Sequence, residues 1–135
     1  MRGILADANN QGQVEVLVRL LQEDWRGEIW DAMGVVRATF ADFGLSQEAS
    51  DLEVWEACQK NQFVLITGNR NAKGTDSLEA TIRTRNTPSS LPVLTISDGE
   101  RLMRDREYAE RVADRLLGYL FEIDQHLGTG RLYLP

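Results

Sequence analysis

Two short apolar runs, Gly3-Ile4-Leu5-Ala6 and Phe63-Val64-Leu65-Ile66-Thr67, stop abruptly at polar residues: Asp7 after the first, Gly68-Asn69-Arg70-Asn71 after the second. A strand inside a parallel sheet is covered on both faces, so it reads as a continuous apolar run rather than an alternating one. In such sheets ligands gather outside the carboxyl ends of the strands. The residues that follow the two runs are therefore where chemistry is expected.

The remaining segments fit the same class. Val14, Val16, Leu17, Val18, Leu20 and Leu21, set among Gln13, Glu15, Arg19 and Gln22, predict a helix ending near Glu23-Asp24. Between residues 25 and 45 the apolar positions are interrupted by Gly27, Gly34 and Gly44, and one strand of open register is expected. Ser50-Asp51-Leu52-Glu53 has the form of a capping box and predicts a helix from about 51 to 60, with Leu52, Trp55 and Cys58 inward. A short helix is expected to start near Thr75-Asp76 with Leu78 and Ile82 on one face, and Pro88 and Pro92 bracket a loop. Pro92-Val93-Leu94-Thr95-Ile96 reads as another strand, and Ser97-Asp98-Gly99-Glu100 repeats the S-x-x-E helix start.

A long helix over roughly 105 to 126 follows, with Ala109, Val112, Ala113, Leu116, Leu120 and Ile123 inward, Glu107 and Arg111 as a supporting pair, and Gly128 as its cap. The tail at 130 to 135 is apolar enough to pack on the domain or on a partner chain. Strands alternate with helices and no linker or repeat divides them. The expectation is one α/β domain over residues 1–135, with a mostly parallel central sheet flanked by helices.

Length and composition bound the function. A chain of 135 residues can bury a core without staples, and the single cysteine, Cys58, excludes an internal disulfide. No cationic, apolar leader opens the chain, so a cytoplasmic protein is expected. No apolar run approaches the roughly 18 residues of a membrane span, so no membrane partner is expected. A net charge of −6 and a pI near 4.8 argue against a broad basic surface for nucleic acid, while a local catalytic contact stays open. His126 is the only histidine, so a zinc site of usual composition is not expected, and no dinucleotide, P-loop or serine-hydrolase motif is present.

Three oxygen-bearing residues could converge in this architecture: Asp7 after the first strand, Asp51 in the first turn of a helix, and Asn69 beyond the strand at 63 to 67. Oxygen ligands from several elements suit a hard divalent cation such as Mg²⁺ or Mn²⁺. Asp76 and Asp98 are further candidates, and Arg70 and Lys73, with Arg83 and Arg85, offer phosphate contacts beside the site. Each position also has a plain reading: Asp51 and Asp76 as helix N-terminal charges, Asn69 as a turn residue, and Asp7 as a cap or the partner of Arg2 or Arg70.

The layout "ILAD" followed by "SDLEVWEACQKNQFVLITGNRN" resembles the PIN-like family of metal-dependent ribonucleases, especially its small bacterial branch. There a first strand ends in Asp, an S-D or P-D helix start follows, and a later strand ends in "VTRD" or "ITRD". The resemblance covers the first half of the chain in motif and the second half in element order. It implies a PIN-like three-layer sandwich in which Asp7 and Asp51 are metal ligands and catalytic residues, with Asn69 where the family places another Asp.

An amide oxygen coordinates without bringing charge, so weak Mg²⁺ or Mn²⁺ binding is expected. Asn71 falls where some members have a further acid, and Asp76 would serve as a substitute catalytic acid. The resemblance further implies hydrolysis of single-stranded RNA and an antitoxin-like protein partner as in toxin–antitoxin pairs; a homodimer is a further expectation. The alternative is a catalytically inactive PIN-like interaction or oligomerisation domain using the tail at 131 to 135. A receiver-like or flavodoxin-like domain is a third reading; a receiver would need paired acids at the first strand and a later Lys, and "ILADANN" and Ser97-Asp98 stand at those places.

Overall fold

The computed structural model describes residues 1–68 and 77–135. In chain order it contains β1 (Gly3–Ala6), a 3-10 turn (Ala8–Asn10), α1 (Gln11–Leu21), α2 (Asp24–Met33), β2 (Val36–Ala38), α3 (Asp51–Asn61) and β3 (Phe63–Thr67). It continues with α4 (Leu78–Arg85), β4 (Val93–Thr95), α5 (Gly99–Arg104), α6 (Arg106–Phe121) and β5 (Arg131–Tyr133). The five strands are all parallel in the order β2-β1-β3-β4-β5. The chain winds outward in both directions from β1 and β3, and the order reverses between them. This order is shared with doubly wound sheets of the flavodoxin kind, whose ligands sit at that reversal.

Alternation along the strands divides the core in two. Ile4, Val64, Ile66 and Leu94 pack with Val14, Leu17, Leu21, Trp30, Val112 and Leu116 beneath α1, α2, α5 and α6. Leu5, Leu65 and Val93 point the other way, against Val54, Trp55 and Cys58 of α3 and Leu78 and Ile82 of α4. The result is a three-layer α/β/α sandwich, as the sequence pattern predicts. α3 ends at Asn61, directly before β3 begins at Phe63, so it runs back along the sheet and its N-terminus lies at the carboxyl edge of the strands, toward the end of β1.

Several local expectations are revised. Residues 24–33 form α2, with the strand confined to Val36–Ala38. Gly27 is not a breaker there: it is buried, and a Cβ on it would stand 2.8 Å from the Gln22 carbonyl oxygen, so the turn from α1 into α2 needs glycine for close approach. Buried Arg26 then ties α2 to α6, its Nε donating to Asp114 at 2.6 Å with Glu110 nearby. The Asp114 hydrogen bond raises the arginine pKa further, against the desolvation of the site.

In α3 the capping box of Ser50 and Glu53 is present, and Trp55 and Cys58 are inward; Leu52 is only half-buried, and Val54 takes the core position. The helix after β3 is capped by Ser77. The cap of α5 is Asp98 rather than Ser97, whose hydroxyl donates instead to the Leu134 carbonyl. The last long helix starts as expected, capped by Asp105, but ends at Phe121, and a 3-10 turn at Ile123–His126 follows. Arg111 lies over the Tyr108 ring at 5.5 Å. Gly128, in the left-handed region, belongs to the turn into β5, where its N–H donates to the Ser90 carbonyl.

Of the two expectations for the tail, packing on the domain is the one seen. Arg131–Tyr133 is the fifth strand, paired with Val93–Thr95, and Leu134 is 1 % exposed. The Arg131 side chain is buried and bonded to Glu79 of α4 and Thr95 of β4, so the tail is tied into the domain. Leu134→Ala is therefore expected to lower the unfolding free energy by about 2–5 kcal/mol, as for other buried leucines. Urea denaturation measures it; a loss within about 0.5 kcal/mol would mark the tail as a surface element instead.

Candidate functional site

The carboxyl edge at the β1/β3 reversal holds a polar cavity of about 410 Å³, lined by Asp7, Ala8, Asn9, Asn10, Gln47, Ala49, Asp51 and Gly68. Asp7 leaves the sheet directly after β1, its N–H still donating to the Ile66 carbonyl of β3 at 2.9 Å. Its side chain is fixed by two donors: the Ala8 N–H reaches Oδ1 at 2.9 Å, and the Thr67 hydroxyl reaches Oδ2 at 2.7 Å. Thr67 is fully buried, so its hydroxyl needs an internal acceptor, and a carboxylate supplies a strong one. Each Asp7 oxygen retains a lone pair beyond these bonds.

Asp51 enters the same cavity from the first turn of α3, where the helix dipole and the capping box favour negative charge. The adjacent Glu53 carboxyl is held below its usual range by hydrogen bonds from Ser50, which keeps the box charged and the helix start fixed. Asp7 and Asp51, separated widely in sequence, are thus brought to one pocket. Asp98 lies elsewhere, exposed at the start of α5 and accepting from the Arg101 N–H at 3.1 Å. Asn69, Arg70, Lys73 and Asp76 lie outside the described residues, as does Asn71.

Sequence reading missed Asn9, Asn10 and Gln47 as cavity residues. The signal available was the run Asp7-Ala8-Asn9-Asn10, whose amides continue the polar edge after β1. Asn10 is 9 % exposed, and its Oδ1 accepts from the Gly68 N–H at 2.9 Å, joining the exits of β1 and β3. Gly68 is required by close approach, since a Cβ there would stand 2.8 Å from Asn10 Nδ2.

The donor set fits a hard cation. The cavity offers two carboxylates and several amide oxygens, with no histidine or sulfur among the described residues that line it. Among the described residues no group of three or more His, Cys, Asp or Glu side chains is arranged to hold a metal; what they offer a cation here is two carboxylates and neutral oxygens. Two carboxylates suffice for Mg²⁺, which keeps much of its water. No family model, curated protein or solved structure matches this chain. The chemistry of the site accordingly rests on its residues.

Cys58 lies beneath this edge but outside the cavity. Burial, with a smaller contribution from the Asp7 charge, pushes its thiol up to about 12. The native thiol should therefore resist disulfide reagents at pH 8 and react on unfolding. The unfolded thiol ionises near its ordinary pKa and the folded one does not, so stability should fall as pH rises from about 9 toward 12. Thiol titration of native and denatured protein checks the first expectation, and melting across that range checks the second.

Proposed function

We propose that this chain is a PIN-like, Mg²⁺- or Mn²⁺-dependent ribonuclease that hydrolyses phosphodiester bonds of single-stranded RNA at the β1/β3 cavity. The observation that carries the reading is the convergence of Asp7 and Asp51, from a strand end and a helix start, on one polar pocket. These two carboxylates would hold the cation, with the Asn69 amide oxygen, next in sequence to the cavity residue Gly68, as a neutral third ligand. When bound, such a cation lowers the pKa of a water and stabilises phosphoryl oxygens in an in-line displacement.

The protein's own contribution is positioning. Thr67 and the Ala8 N–H hold Asp7 in one orientation, so little reorganisation remains when a ligand arrives. The start of α3 brings Asp51 to the same pocket. Arg70 and Lys73 would offer phosphate contacts, and Asp76 a substitute acid. On an acidic protein this favours a local contact with a single strand over wide electrostatic capture. With only neutral oxygen from Asn69, weak metal affinity and slow turnover follow.

Incubation of purified protein with mixed-sequence single-stranded RNA in Mn²⁺ or Mg²⁺ tests the reading. Wild type should cleave, and Asp7→Asn should lower the rate by at least about 100-fold, the upper end of what losing even an outer-shell partner costs a metal site. Asn69→Asp should accelerate cleavage. Cleavage by Asn69→Asp alone would identify a nuclease whose activity has lapsed. Absence of both cleavage and metal binding in every variant would defeat the proposal.

A second reading, a PIN-like interaction or oligomerisation domain, draws on a different surface from the tail. Trp25 and Phe121 are 57 % and 68 % exposed, and with Ile29, Leu117 and Gly118 they line an apolar groove of about 220 Å³ between α2 and α6. Exposed aromatics grouped in this way are typical of protein contacts, and a second copy or an antitoxin-like protein would cover them. Under this reading, sedimentation should show self-association that Phe121→Glu abolishes; a monomer at all concentrations would count against the homodimer.

A further inference from the structure

The buried amide of Asn10 has a donor to spare, and it belongs to the cavity. The side chain is more than nine-tenths buried, and its orientation is decided by a backbone group: Gly68 N–H requires an acceptor and receives Oδ1 at 2.9 Å. Nδ2 therefore sits on the opposite side of the planar amide. It has no hydrogen-bond partner among the described residues, while Asn10 lines the pocket beside Asp7 and Asp51. A second observation concerns space. Any side chain at position 68 would put a carbon 2.8 Å from Nδ2, so glycine there keeps the amide nitrogen's place clear.

An acceptor on a ligand that enters the pocket can take this donor in place of water. Among the described residues the charged groups that line this pocket are carboxylates, which only accept. A phosphodiester is likewise an acceptor and an anion, so beside Asp7 and Asp51 it needs both a cation and a neutral donor. We propose that Asn10 Nδ2 donates to a non-bridging oxygen of the substrate phosphodiester, making Asn10 a substrate-binding residue of this cavity; this rests on the ribonuclease reading above. The contact reads the phosphate and not the base, and so predicts binding with little sequence preference.

Asn10→Asp keeps the acceptor that Gly68 N–H uses, removes the donor and adds an acid. Gly68→Ala leaves every donor and acceptor in place and displaces the amide. For each protein, Mn²⁺ affinity is read by electron paramagnetic resonance, and binding of a short fluorescent 2′-O-methyl oligonucleotide to the Mn²⁺-loaded form by anisotropy. Asn10→Asp should bind Mn²⁺ at least as tightly as wild type and the oligonucleotide about 10-fold or more weakly, the loss expected for a hydrogen bond to a charged group. Gly68→Ala should retain Mn²⁺ and weaken the oligonucleotide.

A purely structural role for Asn10 would leave oligonucleotide affinity tracking Mn²⁺ affinity in both variants, and that result overturns the proposal. Oligonucleotide affinity equal to wild type in both variants overturns it too, with the metal site intact. If wild type binds no Mn²⁺, the ribonuclease reading itself falls and takes this contact with it.

Discussion

The pairing of β1 with β3, in register from Gly3 with Phe63 to Ala6 with Ile66, is the constraint on which the rest of the structure depends. Both strands are central, so both faces must be covered by helices and every ladder group is committed within the sheet. Polar side chains are admitted only where the pairing ends. Thr67 is the last residue of β3, and Asp7 is the first beyond β1; they meet because the register brings both strands to an end at the same level. A shift of one residue would turn Thr67 to the opposite helix layer and leave its hydroxyl buried without the carboxylate.

The same pairing accounts for the position of α3. Its buried face of Val54, Trp55 and Cys58 docks on the Leu5 and Leu65 side of the sheet. The helix must run back along the strands to feed β3, so its N-terminus, with Asp51, returns to the carboxyl edge. A packing requirement thus delivers a second carboxylate to the cavity, and the amides of Asn9, Asn10 and Gln47 complete its wall. At the far edge of the sheet a different device operates: buried Arg131 joins β5, β4 and α4 through Thr95 and Glu79. An arginine out of water demands its partners, which fixes the last strand in place.

Much of this was legible in order. The continuous apolar runs at 3–6 and 63–67 mark buried strands because each stops abruptly at polar residues, and β3 spans the run as read. Ser50 and Glu53 declare a helix start through local hydrogen bonds that need no tertiary context. The helix at 24–33 was obscured because Gly27 has two opposite uses: it loosens an isolated helix, and it permits a turn too tight for any side chain. The short strand β5 was obscured because three residues carry no period, and only the edge of β4 gives them partners.

The sequence by itself determined the α/β class, the two central strands and the candidacy of Asp7 and Asp51, since these follow from burial on both strand faces and from local capping chemistry. Only the tertiary structure decided that Asp7 and Asp51 share a cavity, that the Asn10 amide is turned by Gly68, and that the tail is a strand. These depend on groups far apart along the chain, where the partner of each side chain is set by sheet register and helix direction and not by its sequence neighbours.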